Sequence, residues 1–189
     1  MTVGLVSGRG VGVVIAGLVA GCVLPACTQD DGARAHPQSS KTNATVRTPS
    51  PDPGEVAAQR ALDAYTGMWR DMTTAALTSD YQSPLLGRHA AGAALRQIVD
   101  SLYLDKRQNV VTKGQPETHP RVTELSPAGD PKRARIVDCA DSSRWLKYRV
   151  SGGLVDDEPG GRRRITAVVE NLNGTWKVTD FRVEVIGSC

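Results

Sequence analysis

Two carboxylates are the candidates for acid–base chemistry in this sequence. Asp138 lies inside a predicted strand, and Asp141 lies three residues later. If either projects into a cavity beside Tyr65 or Tyr103, apolar surroundings make it a candidate general base. The alternative is structural, with Asp141 in a turn and Asp138 paired with an arginine. We favour the structural interpretation, because ion pairs often mimic catalytic sites.

Cys139 and Cys189 are the candidates for a disulfide. Cys139 lies within a predicted strand and Cys189 follows the last one, so the two thiols could meet across a sheet. In an exported domain such thiols become oxidised. A bridge over this separation would stabilise the fold by about 4 kcal/mol in the chain-entropy model, and it would hold a C-terminus that otherwise frays. Two free thiols are the alternative.

Other catalytic patterns are missing from the sequence. The histidines, His36, His89 and His119, lack the spacing of a metal site, and there is no Cys-x-x-Cys. There is also no Gly-x-Ser-x-Gly elbow and no phosphate-binding glycine loop. We therefore predict no catalytic, metal-binding or cofactor-binding residues, and no cofactor.

The N-terminus has the pattern of an export signal. Arg9 precedes an apolar stretch, 11–20, which is too short to span a bilayer. The stretch leads into Leu18-Val19-Ala20-Gly21-Cys22, which is similar to a bacterial lipobox, whose cysteine is lipidated and becomes the mature N-terminus. Cys27, in Leu24-Pro25-Ala26-Cys27, is the alternative lipidation site. We predict a signal peptide over 1–21 and a lipid anchor on the outer face of the cell membrane.

Composition changes after the anchor. Residues 22–54 are rich in Pro, Ser and Thr and predict a disordered tether. Residues 55–189 then form one domain. The net charge of +3 is small and falls to +2 when Arg9 leaves with the signal, which excludes a strongly cationic nucleic-acid binder.

Three helices are predicted at the start of the domain. Asp52, Pro53 and Glu55 form a capping pattern for the first helix. Its apolar residues recur every three or four positions, on one face. They are Val56, Leu62, Tyr65, Trp69, Met72 and Ala76. Ser83-Pro84 begins a short helical turn, and residues 91–105 form a third amphipathic helix.

Six strands follow the helices. Alternating apolar residues predict strands at 110–112, 121–125, 133–141, 144–150, 164–172 and 175–185. Asn173-Gly174 predicts a tight hairpin. The apolar phase slips between Val178 and Phe181, so we predict a β-bulge near Thr179-Asp180. The charged segment 156–164 is interpreted as a solvated hairpin tip, with a partner-docking loop as the alternative.

Helices followed by antiparallel strands predict an α+β fold, with the helices packed in the concave face of a curved sheet. Residues 55–189 resemble the cone-shaped NTF2-like (SnoaL-like) fold, and the whole chain resembles secreted actinobacterial lipoproteins. The segments that carry this resemblance span the whole domain. They are Ala64-Tyr65-x-x-Met68-Trp69, Val111-Thr112-Lys113-Gly114, Asp138-Cys139-x-Asp141-Ser142, Trp145-Leu146-Lys147-Tyr148, Gly152-Gly153-Leu154 and Trp176-Lys177-Val178.

The resemblance leaves the function open, because this fold serves enzymes, ligand binders and assembly modules. We expect a non-catalytic binding module whose partner is an envelope protein or a small apolar ligand. Candidate pocket residues are Tyr65, Trp69, Tyr103, Asp138 and Trp145. The alternatives are an isomerase- or cyclase-like enzyme with Asp138 or Asp141 as base, and a structural subunit of an envelope assembly. A lone carboxylate in an apolar pocket would favour the enzyme, and a filled cone with an exposed apolar rim would favour assembly.

Overall fold

The computed structural model describes residues 51–155 and 160–189. Three helices precede six strands, as predicted. The helices are α1 (Pro53–Ala76), α2 (Leu86–His89) and α3 (Gly92–Arg107). The strands are β1 (Val110–Lys113), β2 (Arg121–Ser126), β3 (Arg133–Asp141), β4 (Leu146–Arg149), β5 (Arg162–Leu172) and β6 (Thr175–Val183).

Helix α1 begins where its cap predicts. The Asp52 carboxylate accepts from the backbone N–H groups of Gly54 and Glu55, and Pro53 occupies the first turn. The predicted apolar face is buried along most of its length, including Tyr65 and Trp69. Alanines beside this face are buried as well, which lets the helix approach the strands closely. None of the described helices is both long enough and apolar enough to cross a membrane.

The strands form two sheets, whereas the sequence predicted one. A four-stranded antiparallel sheet has the order β2-β3-β5-β6, and β1 pairs with β4 separately. Helices α1 and α3 pack on the four-stranded sheet, mainly through β6. The hairpin predicted at 156–164 is wrong, because β4 pairs with β1 while β5 pairs with β3 and β6. Alternation defines the faces of a strand, but it does not define the neighbour of that strand.

The last hairpin confirms two local predictions. Asn173 and Gly174 both have positive φ angles, 53° and 91°, as a two-residue turn of this type requires. The register of β5 and β6 shifts at Thr179, since Val169 pairs with Val178 but Val168 pairs with Asp180. This bulge keeps both Val178 and Phe181 in the core.

The predicted disulfide is present between Cys139 on β3 and Cys189, with Cα atoms 5.9 Å apart. It attaches the C-terminal residue to the middle of the four-stranded sheet. The lipidation candidates Cys22 and Cys27 lie outside the described residues, as do the signal peptide, residues 22–50 of the predicted tether and the acidic part of the 156–164 segment.

Candidate ligand-binding cavity

An open cavity of about 330 Å³ lies between the helices and the strands. Helix α1 contributes Trp69 and Met72 to its wall, and α3 contributes Ile98 and Leu102. Phe181 comes from β6 and faces the cavity because of the bulge at Thr179. The volume lies at the lower end of the range for small-molecule sites, and the wall is mostly apolar, as such sites usually are.

Trp69 is at the centre of an aromatic cluster on this wall. Its ring makes edge-to-face contacts with Trp145, at 5.7 Å between centroids, and with Phe181, at 6.2 Å. A third contact, at 6.3 Å, joins it to Tyr65 behind the wall. Edge-to-face contacts of this kind contribute about 0.5–1.5 kcal/mol each beyond the area that they bury. One side of the cavity is therefore formed by mutually packed aromatic rings.

An ion pair forms one polar part of the wall. The Lys147 ammonium on β4 donates to the carboxylate of Asp105, which is 5% exposed. Thr112 on β1, directly opposite Lys147 in the register, is also buried at the wall. The lysine compensates the acid, so this pair brings no net charge to the cavity.

Arg163 forms a second polar part of the wall. It lines the cavity near the start of β5, and one of its guanidinium N–H groups donates to the Glu184 carbonyl at 3.4 Å. The structure shows no carboxylate in an ion pair with Arg163 among the described residues. The cavity wall therefore carries one positive charge beyond the Asp105–Lys147 pair.

Two indole N–H groups are buried without a hydrogen-bond partner in the described part of the chain. They belong to Trp69 and Trp145, and both residues line the cavity. The Trp69 indole lies close enough to the Tyr65 hydroxyl to affect its pKa, although the two groups lack hydrogen-bond geometry. A buried donor without an acceptor costs about 1–3 kcal/mol. A ligand that accepts from Trp145 would recover part of this cost.

Asp138 does not reach the cavity. Its carboxylate is 1% exposed and accepts from the Tyr65 hydroxyl at 2.8 Å and from the His119 backbone N–H at 2.7 Å. Burial, followed by the negative charge of Asp138, strongly raises the pKa of Tyr65. The predicted contact with Tyr65 is therefore present, but Asp138 pairs with a tyrosine and a backbone amide rather than with an arginine. Both residues are buried behind the cavity wall.

Asp141 forms the turn that the structural interpretation predicts. Its carboxylate accepts from the Ser143 backbone N–H at 2.8 Å, and this hydrogen bond lowers the pKa of Asp141. Asp141 is half-buried and does not line the main cavity. A carboxylate with a lowered pKa is a weak base, so the local geometry does not favour Asp141 as a general base.

Of the five predicted pocket residues, only two line the cavity among the described residues. Trp69 and Trp145 line the cavity, while Tyr65 and Asp138 lie buried behind it. The placement of Tyr103 in the pocket is wrong. This residue is 42% exposed on α3 and contacts Tyr81 edge-to-face at 5.3 Å. The face of α3 that lines the cavity passes through Ile98 and Leu102, and position 103 points away from it.

The histidines of the described ranges have structural or surface positions. No group of three or more His, Cys, Asp or Glu side chains is placed there to hold a metal ion. His89 Nδ1 contacts the buried Asp71 carboxylate at 2.6 Å, with its ring against Gly67, where a Cβ would clash. His119 contributes its backbone N–H to Asp138 and lies on the surface, while His36 lies outside the described residues.

Several cavity residues were not predicted from the sequence. Arg163 and Phe181 were assigned only to a charged segment and to a strand face. Asp105 could have been singled out, because a negative charge in the last turn of a helix interacts unfavourably with the helix dipole. Such an acid is expected to have a positively charged partner. The partner, Lys147, is 42 residues away and could not be identified from spacing.

Comparison with known proteins finds structural neighbours only. The intermembrane space region of the chloroplast protein ARC6 is similar at 14% identity, with a TM-score of 0.46 over 68% of this chain and 96% of that chain. A putative scytalone dehydratase from Novosphingobium aromaticivorans is similar at 12% identity, with a TM-score of 0.37 over 71% of this chain and 88% of that chain. No protein-family model and no curated protein sequence matches the chain. With TM-scores under 0.5, neither likeness assigns a substrate or a partner to this chain.

Proposed function

We propose that this protein is a membrane-tethered extracytoplasmic lipoprotein whose NTF2-like α+β domain binds a small, largely apolar ligand without catalysis. The observation that carries the proposal is the open cavity of about 330 Å³ with Trp69, Trp145 and Phe181 on its wall. Buried aromatic surface around an open space favours occupancy by an apolar group, since about 25 cal/mol is gained per Å² of apolar surface removed from water.

The same cavity argues against the two alternative functions. A structural subunit would be favoured by a filled interior, whereas this interior has room for a ligand. An enzyme with Asp138 as base would need that carboxylate in contact with the ligand, but Tyr65 and the His119 amide cover it. Asp105 does line the cavity, but Lys147 neutralises it. Binding is therefore the function that the geometry favours.

The anchor rests on the sequence around Cys22. A short apolar stretch before a Gly-Cys pair, followed by a polar spacer, supports lipidation and retention on the extracellular face of the cell membrane. An oxidising compartment would also suit the Cys139–Cys189 disulfide. A cavity in a domain tethered to a membrane is well placed to receive an apolar molecule from the lipid or from an envelope protein.

Metabolic labelling with radioactive palmitate tests the anchor. Cells that express the full chain should incorporate label into it, and Cys22→Ala should abolish the incorporation while Cys27→Ala retains it. Loss of label only in Cys27→Ala would move the anchor to the alternative cysteine. Labelling of neither the parent chain nor the variants would refute lipidation.

Native mass spectrometry of the full chain, released from its own membranes, tests the binding function. We expect a bound small molecule that is lost in Ser101→Trp, because Ser101 lies on the α3 side of the cavity and an indole there would occupy the space. Leu104→Trp is the matched control on the same helix, since Leu104 is 56% exposed and outside the cavity. A mass spectrum of the parent chain without any adduct, together with no binding of added apolar probes, would refute the proposal.

A further inference from the structure

We infer that the ligand of this cavity is an anionic amphiphile, with an apolar body against the aromatic wall and a carboxylate or phosphate head at Arg163. The inference rests on the proposed binding function and adds the chemical class of the ligand. It begins with the distribution of charge. Among the described residues, three charged side chains line the cavity; Asp105 and Lys147 compensate each other and Arg163 remains.

The position of Arg163 on β5 directs it to the cavity. Side chains alternate along a strand, and Ile165, two residues later, is buried and also lines the cavity. Arg162 and Arg164 lie on the opposite face and are exposed. The Arg162 guanidinium contacts Cys139 Sγ at 3.3 Å on that outer face. Of the three consecutive arginines, only Arg163 can meet a ligand inside.

Within the described part of the chain, the Arg163 guanidinium is incompletely satisfied. Arginine has five N–H donors, and the structure shows one side-chain hydrogen bond, the 3.4 Å contact with the Glu184 carbonyl. A planar guanidinium with free donors matches a carboxylate or phosphate in a bidentate geometry. Because Arg163 is half-buried, such a contact would be screened by solvent less than one on an exposed arginine.

The loop that carries Trp145 is held to the start of β5. Backbone hydrogen bonds join the Trp145 N–H to the Ser142 carbonyl at 3.0 Å, and the Ser142 N–H to the Gly161 carbonyl at 3.2 Å. Gly161 is two residues before Arg163, so the loop with Trp145 and the start of β5 are held together. The Trp145 indole N–H, which has no acceptor among the described residues, is therefore a second candidate donor for the head group.

The apolar part of the ligand would lie against the remaining wall. Trp69 and Phe181 form its aromatic side, and Ile98 with Leu102 form its aliphatic side. These residues present no formal charge. A ligand with one anionic end and a short hydrocarbon body satisfies both parts of the cavity. A cation would be repelled by Arg163, and a neutral alcohol would accept from its guanidinium without the charge or the bidentate geometry of a carboxylate.

Calorimetric titration of the full chain, held in nanodiscs of zwitterionic lipid with empty nanodiscs subtracted, tests the inference. The probes are octanoate, 1-octanol and octylammonium, which share one hydrocarbon chain and differ in head charge. We expect octanoate to bind roughly tenfold more tightly than octanol, as a charge-assisted hydrogen bond provides, and octylammonium to bind most weakly. Higher salt should weaken the binding of octanoate but not of octanol.

Two adjacent arginines provide matched variants. Arg163→Gln should remove the roughly tenfold advantage of octanoate and leave octanol unchanged, while Arg164→Gln removes the same charge from the outer face and should change neither. Arg163→Lys should retain part of the preference, because the charge remains without the bidentate geometry. The comparison of probes on the parent chain does not depend on how any variant folds.

The outcomes separate the two proposals. Equal binding of all three probes, or a preference that Arg163→Gln leaves intact, would overturn the anionic head while the binding function stands. Preferential binding of octylammonium would also overturn it and would assign the dominant charge to Asp105. Failure of all three probes to bind would count against both the inference and the apolar cavity as a binding site.

Discussion

Replacing Tyr65 with phenylalanine should destabilise the domain substantially, although the change removes a single oxygen. The Tyr65 side chain is 0% exposed, and its hydroxyl donates at 2.8 Å to the Asp138 carboxylate, which is itself 1% exposed. Without this donor, Asp138 retains only the His119 backbone N–H, at 2.7 Å. Water does not reach the site to replace the lost hydrogen bond.

The expected magnitude follows from the charge of the acceptor. A hydrogen bond to a charged group contributes roughly 1.5–3 kcal/mol, so Tyr65→Phe should lower the free energy of unfolding by about 2 kcal/mol. Asp138→Asn should destabilise the domain as well. The neutral amide removes the negative charge that strengthens both hydrogen bonds, and only one of its two polar atoms can accept.

Urea unfolding followed by far-ultraviolet circular dichroism measures both effects and their coupling. The two single variants and the double variant form a thermodynamic cycle, which should show a coupling energy of about 0.5–3 kcal/mol for groups in direct contact. Tyr81→Phe is the matched control. Tyr81 is half-buried against Tyr103, and its hydroxyl has no hydrogen bond among the described residues, so the change should stay within about 0.5 kcal/mol. A Tyr65→Phe variant as stable as Tyr81→Phe, with an additive cycle, would refute this account of the buried pair.

Three further predictions concern pH, the disulfide and the bulge. The folded-state pKa of Tyr65 is raised above its ordinary value of 10.0, so the unfolded chain loses this proton first as pH rises. The free energy of unfolding should therefore fall as pH rises above 10. Tyr65→Phe should remove that part of the fall when urea unfolding is measured at alkaline pH. Replacing Cys139 and Cys189 together with alanine should lower the free energy of unfolding by about 4 kcal/mol in the chain-entropy model, and adding a reductant should then have no effect on the variant although it destabilises the parent chain. Deleting Thr179 should preserve a folded domain, because Val178 and Phe181 would still face inward on a regular strand. Deleting Lys177 instead should turn Val178 outward and lower the free energy of unfolding by about 2 kcal/mol more. Thermal melting that ranks the two deletions the other way would contradict the assigned register.

Local signals predicted much of this fold. The cap at Asp52 and Pro53, the turn at Asn173-Gly174 and the bulge beside Asp180 each depend on a few consecutive residues, and each has the predicted position. The cysteine pair was also predictable, because few partners were available in the domain, with Cys139 in a predicted strand and Cys189 just after the last one. Patterns of this kind specify backbone geometry and side-chain faces within one element.

The placement of residues distant in the chain could not be predicted in the same way. Alternation identified β4 correctly as a strand but suggested the wrong neighbour, because pairing with β1 depends on loop closure and packing rather than on the strand itself. Tyr103 was expected in the pocket from its chemistry alone. It lies outside the pocket, because its position on α3 is not on the face that packs against the cavity.

By itself, the sequence determined the mixed α+β class, the order and approximate positions of the helices and strands, and the expectation of an exported, lipid-anchored chain. Only the tertiary structure decided which side chains meet. Tyr65 and Asp138 are 73 residues apart, and Asp105 and Lys147 are 42 apart. Packing of α1 and α3 on the sheet covers the carboxylate of Asp138 and leaves open the space beside Arg163. The physical reason is that caps, turns and strand patterns depend on a few neighbouring residues, whereas a cavity is the space that remains after all the elements have packed.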